Sequence, residues 1–138
     1  MNRVAAIYGV SVVSSINFLN NVPDRTRGYY THDNRTVSIN EEYLSRRDSY
    51  QIMNTVIHEL RHAYQHSAVD DPSSYNVSPE TIRIWEHNLK PENYKSTSKG
   101  YTYEEYVSQP VEWDAKNFAK QYSDLTNANP EYVGSWGE

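Results

Sequence analysis

The chain contains no cysteine. That excludes a disulfide framework, a thiolate metal site and a cysteine nucleophile, so a zinc ion could be held only by histidine and carboxylate. Long apolar runs are missing as well. Hydrophobic residues make up 37% of the chain, and no stretch approaches the ~20 residues of a membrane-spanning helix. The chain reads as soluble, with no membrane partner. Nor is there a concentration of basic residues. Lys and Arg number 13 against 18 Asp and Glu, for a net charge of -5, so no basic surface is available to track a phosphate backbone and nucleic acid is excluded as a partner. Internal repeats and low-complexity segments are also lacking.

What is present fits one domain over residues 1–138, large enough to bury a single core. Residues 1–16 carry one arginine and a mildly apolar stretch. Their serines and the lack of a small-x-small cleavage pattern argue against a signal peptide. Ala5, Tyr8, Val12, Ile16 and Leu19 follow helical spacing, while Val10, Val12 and Val13 give a strand some claim. Beyond the break at residues 20–24, "GYYTHDNRTVSIN" predicts a hairpin turning at His32, Asp33 and Asn34.

From about residue 48 to residue 66 the apolar positions Ile52, Met53, Val56, Ile57, Leu60, Ala63 and Tyr64 predict an amphipathic helix, with Asp48 or Ser49 as its N-cap. Residues 67–101 read as mostly irregular, with a short helix over residues 79–89. A last helix is expected over residues 108–122, with Val111, Ala115, Phe118, Ala119 and Tyr122 as its apolar stripe. The tail, "NANPEYVGSWGE", has no periodicity.

Within the first long helix lies "HELRH". His58 and His62 stand one helical turn apart, so both imidazoles leave the same face and can converge on one ion. Glu59 lies one residue further round, where its carboxylate borders the ion and can take a proton from water. His66 extends the spacing to a third histidine, but it is about 12 Å from His58 along the axis and does not suit the same ion. It reads as a surface or pocket-rim residue.

A catalytic zinc takes three protein ligands and keeps one position open. The candidates for the third are His32, His87, Glu112 and Asp114. Glu112 borders the apolar stripe of the last helix beside Ala115 and Ala119, small residues that permit close packing, so its carboxylate would need a buried partner. A metal would supply one. Asp114 falls about 200° round the helix and reads as solvent-side or capping. His32 and His87 read as exposed or locally hydrogen-bonded imidazoles.

The order of "GYYTHDNRTVSIN", "HELRH" and "EWDAKNFA" resembles the gluzincin-like metallopeptidases of the ImmA/IrrE type over residues 28–66 and 109–122. The resemblance implies an α+β, zincin-like fold: a small, mainly antiparallel sheet packed on the HExxH helix, with a C-terminal helix carrying the third ligand. It also implies that Glu112 completes the zinc site with His58 and His62, and that Glu59 is the catalytic base. The tyrosine-rich stretch between these segments departs from that family. "HELRHAYQ" with "QPVEWDAKNFA" further resembles the zincin domains of bacterial polymorphic toxins. That setting implies secretion or delivery within a larger protein, and a cognate inhibitor or immunity protein as partner.

The expected function is therefore zinc-dependent hydrolysis of a protein or peptide substrate. Tyr30, Tyr101, Tyr103 and Tyr106 are candidates for stabilising the oxyanion, and "YKSTSKGYTYEEYVSQP" reads as a lid or a surface loop. The alternatives are a zinc-clamped binding module without activity and a peptidase whose metal is covered by a lid or pro-segment.

Overall fold

The computed structural model describes residues 13–20, 27–44 and 49–126. Strands β1 (Ser15–Leu19), β2 (Gly28–Thr31) and β3 (Thr36–Asn40) form a three-stranded sheet ordered β1-β3-β2. Strands β2 and β3 are the hairpin, antiparallel, with Gly28 opposite Ile39 and Thr31 opposite Thr36. Its turn is closed by Arg35, which takes a left-handed φ of 54° and donates its N–H to His32 O at 3.2 Å.

On the other side of β3, β1 runs parallel, with Ile16 opposite Val37 and Phe18 opposite Ile39. The sheet is therefore mixed, which corrects the expectation of a mainly antiparallel one. It also corrects the helical reading of Ile16 and Leu19. The free edge of β3 offers the backbone of this segment a ladder of partners, and tertiary pairing overrides a weak local periodicity. The earlier part of that periodicity, residues 1–12, lies outside the described residues.

The helices are α1 (Glu41–Leu44), α2 (Ser49–Asp70), α3 (Pro79–Leu89), α4 (Tyr103–Ser108) and α5 (Pro110–Thr126). Helix α2 runs four residues past the expected end at His66, and Pro72 follows shortly after it. Ser49 lies inside its first turn, while Asp48, the other expected N-cap, is outside the described residues. Helix α3 starts on Pro79, and the Ser78 hydroxyl accepts the Thr81 N–H at 3.2 Å.

Helix α4 lies in the stretch read as a lid or loop. Its signal is a reciprocal capping box: Glu105 N donates to Thr102 Oγ1 at 3.1 Å and Thr102 N to Glu105 Oε1 at 2.9 Å. Helix α5 begins at Pro110, where a missing N–H costs nothing. The tail after Thr126 lies outside the described residues. Together the elements make an α+β arrangement, and among the described residues no helix is long and apolar enough to cross a membrane.

Helix α2 is the centre of the packing. One side carries Val56, Leu60 and Ala63 against Val37 and Ile39 of the sheet. Another carries Ala68 against Ile82 and Trp85 of α3 and Val111 of α5. Its principal helical neighbour is α5, which runs antiparallel to it: Asn54 reaches Ser123 at 3.4 Å near one end and Gln65 reaches the Val111 carbonyl at 2.9 Å near the other. Val111, Ala115, Ala119 and Ser123 recur every four residues of α5, and all have 0% exposure. This ridge of small side chains lets the two backbones approach closely.

The start of α5 is pinned by buried amides. Asn88 Oδ1 accepts the Val111 N–H at 2.9 Å, and Gln109 Oε1 accepts Asn88 Nδ2 at 3.0 Å and Lys95 N at 2.9 Å. Overpacking the ridge should separate the helices. Ala119→Leu is expected to lower unfolding free energy by about 1–3 kcal/mol, read as a lower denaturant midpoint, whereas an unchanged midpoint would contradict close α2–α5 contact.

Candidate metal centre

Helix α2 presents His58 and His62 one turn apart, and the first turn of α5 presents Glu112 across the interface. His58 Nε2 lies 3.1 Å from Glu112 Oε1, and His62 Nε2 lies 3.1 Å from Glu112 Oε2. The two Nε2 atoms are 3.2 Å apart. Donor atoms of these three residues all fall within 4.8 Å of one another, a group that could hold a metal ion. The spacing fits: three donors on a tetrahedral ion at about 2.0–2.1 Å would stand about 3.3–3.4 Å apart. The donor set of two imidazoles and a carboxylate also suits a divalent cation.

The Glu112 carboxylate is only 3% exposed and takes two further hydrogen bonds. Tyr94 donates its hydroxyl to Oε2 at 2.5 Å, and Tyr106 donates to Oε1 at 3.1 Å. Both phenols sit close together, edge to face, with ring centroids 6.4 Å apart. Burial and the neighbouring Glu112 charge raise both phenol pKa values, so they remain donors. Tyr106 was among the sequence candidates. Tyr94 is not one of them, although it opens the stretch "YKSTSKGYTYEEYVSQP" that reads as a lid or a surface loop.

The electrostatics divide the cluster. Burial lowers the pKa of His58 to about 4, despite its hydrogen bond to Glu112. Burial opposes charge on His62 too, but the Glu112 charge and hydrogen bond, with Glu59 adding to them, push it up to about 10. Burial would raise Glu112, yet the His62 charge and the histidine hydrogen bonds hold it well below the usual carboxylate range. The arrangement thus favours positive charge on His62 beside an ionised Glu112.

Glu59 is 5% exposed, and burial raises its carboxyl to about 7, with His62 opposing and Glu112 reinforcing the shift. Together with His62 and Glu112 it lines a cleft of about 430 Å³, whose other walls include Tyr30, Tyr94 and Tyr106. Gly28 of β2 lies at the same cleft. A Cβ there would stand 2.8 Å from Ser38 O, 3.1 Å from Ile39 Cδ1 and 3.6 Å from Glu59 Cγ, so glycine is what allows β2 to lie this close.

The remaining candidates lie apart from the metal group. His66 is at the cleft rim, its ring stacked on His32 with centroids 4.7 Å apart. Burial, with His32 and His62 nearby, lowers its pKa to about 4. His32 bonds Asp70 at 2.6 Å and Tyr30 OH at 2.9 Å. His87 is exposed on α3, where Asn93 Nδ2 donates to its carbonyl at 2.9 Å. Asp114 pairs with Arg61 through two contacts, 2.8 and 3.2 Å, and with Gln65 at 2.8 Å. Tyr101 and Tyr103 are 39% and 45% exposed and do not line this cleft.

No known family, curated protein or solved structure matches the chain.

The charge on His62 gives metal uptake a proton signature. The Glu112 charge pushes this ring's pKa up to about 10, which favours its protonated form near neutral pH, and a ligating imidazole must be neutral. Binding of Co2+ or another divalent probe should therefore release about one proton, and affinity should climb about tenfold per pH unit between about pH 6 and 8. Calorimetry in buffers of different ionisation enthalpy reads this directly, and a buffer-independent heat would contradict it. For the ligands themselves, Glu112→Ala should weaken metal retention more than His66→Ala does, and the reverse order would remove Glu112 from the site.

Proposed function

We propose that the protein is a zinc-dependent endopeptidase of the gluzincin type, with His58, His62 and Glu112 as ligands and Glu59 as the catalytic base. One observation carries the reading: the buried carboxylate of Glu59 lines the same open cleft as His62 and Glu112, beside a donor set that could hold a metal. A purely structural clamp has no use for a basic group at an accessible face. Zinc is favoured because the donors are nitrogen and oxygen, few in number and without thiolate.

When bound, zinc supplies Lewis acidity to the scissile carbonyl and to water. The chain's own groups do the rest. Glu59 accepts a proton from the attacking water and returns it to the leaving amine, and a carboxyl raised to about 7 is matched to both transfers near neutral pH. Tyr106 lines the cleft with its hydroxyl on Glu112, and it would stabilise a developing oxyanion by turning its one hydrogen from Glu112 Oε1 to the substrate. Tyr30 lines the same cleft with its hydroxyl engaged by His32.

A protein or peptide is the proposed substrate class. The resemblance to toxin-borne zincin domains suggests delivery within a larger bacterial protein and a cognate inhibitor or immunity protein, which would act by covering this cleft. The metal-clamped binding module is the competing reading.

Glu59→Gln separates them. It should retain zinc at parental stoichiometry, measured by elemental analysis, and keep the parental circular dichroism. Peptide cleavage should fall at least about 100-fold, the usual worth of a positioned base. If the variant cleaves as fast as the parent, Glu59 is not the base and the peptidase reading fails.

A further inference from the structure

Gln65 is fully buried, with 0% exposure, and it touches the metal group from behind. Its amide is oriented by chemistry. Nε2 lies 2.9 Å from the Val111 carbonyl and 2.8 Å from Asp114 Oδ2, neither of which can donate, so the NH2 group must face them. The carbonyl end therefore faces His62, with Gln65 Oε1 2.9 Å from His62 Nδ1. An amide oxygen only accepts, so Nδ1 must carry the hydrogen. In a neutral ring that leaves the Nε2 lone pair aimed at His58 and Glu112.

Asp114 is fixed in turn. Arg61 grips it with Nε at 2.8 Å and Nη2 at 3.2 Å, and the guanidinium is itself walled by aromatic rings, its centre 4.3 Å from Phe118 and 4.7 Å from Tyr64. Arg61, Gln65 and His62 belong to α2, whereas Asp114, Phe118 and Val111 belong to α5. The chain of bonds crosses the helix interface twice.

We infer that Gln65 is a positioning residue for the metal: it selects Nε2 of His62 as the ligating atom, and the Arg61–Asp114 pair locks Gln65 in the orientation that does so. The inference rests on metal binding at His58, His62 and Glu112 and needs no peptidase activity. It assigns a use to residues that neither the ligand set nor the base explains. A glutamine free to turn its amide would put NH2 against Nδ1 and favour the wrong tautomer. With Asp114 and Val111 O both demanding donors, that rotation leaves two acceptors facing an acceptor.

The test uses the full chain and zinc alone. In the zinc-loaded parent, long-range 1H–15N spectra should show a protonated Nδ1 on His62, with an N–H resonance slow to exchange. Gln65→Met keeps the volume and removes the acceptor. It should weaken zinc retention by about 10–100-fold in chelator competition, the usual cost of losing such a partner, and the slow N–H resonance should vanish. A merely structural role would leave that resonance in place in the folded variant.

Because Gln65→Met also abandons the buried Val111 carbonyl, Asp114→Asn provides a second arm at a partly exposed position. It should weaken zinc by about threefold or more and broaden the same resonance. Parental affinity and a parental resonance in Asp114→Asn, or in folded Gln65→Met, overturn the inference while leaving the metal centre standing. A parent that takes up no zinc overturns both.

Discussion

The site depends on a buried carboxylate having somewhere to put its charge. An ionised carboxylate left alone in a protein interior costs several kcal/mol, and Glu112 is 97% buried by the complement of its 3% exposure. Four side chains meet that cost, two imidazoles from α2 and two phenols from the connection and α4. Each requires its own piece of structure. The small-residue ridge of α5 brings Glu112 within reach of α2. The capping box sets α4 so that Tyr106 arrives. Lys99 ties down the turn that carries Tyr94, donating to Pro91 O at 2.5 Å and Tyr94 O at 2.9 Å. The long connection between α3 and α5 thus delivers two hydroxyl donors to the carboxylate.

The same charge explains why two histidines of one motif behave oppositely. Both are buried, and burial alone would strip both of protons. His58 follows that rule, whereas His62 does not, because Glu59 and Gln65 add their support to that of Glu112 on its side. A single proton held among three donors is the charge arrangement that a cation would replace. A bound cation would put a positive centre where that proton stands, so the carboxylate would be compensated in both states.

Much of this was legible in the chain, and unevenly so. His58, Glu59 and His62 are readable because one helical turn dictates their relation, and the long apolar periodicity around them identifies the helix. Glu112 is readable as a charge on an otherwise small and apolar face, and the hairpin as two extended segments around polar turn residues. Tyr94 and Gln65 are not. Tyr94 acquires its role from Glu112, 18 residues away, and Gln65, though only three residues from His62, is oriented by Val111 and Asp114, 46 and 49 residues away. Strand β1 was hidden for a related reason: its pairing is parallel and non-local, while its apolar spacing mimics a helix. Helix α4 is different, since its Thr102–Glu105 capping box stands in the sequence and was masked by the tyrosines around it.

The sheet's contribution to the site is steric and follows from register. Side chains on a strand alternate between faces, so a shift by one residue reverses every position. With Gly28 opposite Ile39, the position on β2 that faces Glu59 Cγ carries no side chain, and the strand lies against the carboxylate's stem with the cleft still open. Slipping the hairpin by one residue would bring Tyr29 or Arg27 to that place, and either would fill the space in front of Glu59. Val37 and Ile39 anchor β3 in the core they share with Val56 and Leu60, which fixes the strand on which Gly28 is registered. Hydrophobic packing of the sheet on α2 thereby leaves Glu59 lining an open cleft, and the core and the cleft are two consequences of one alignment.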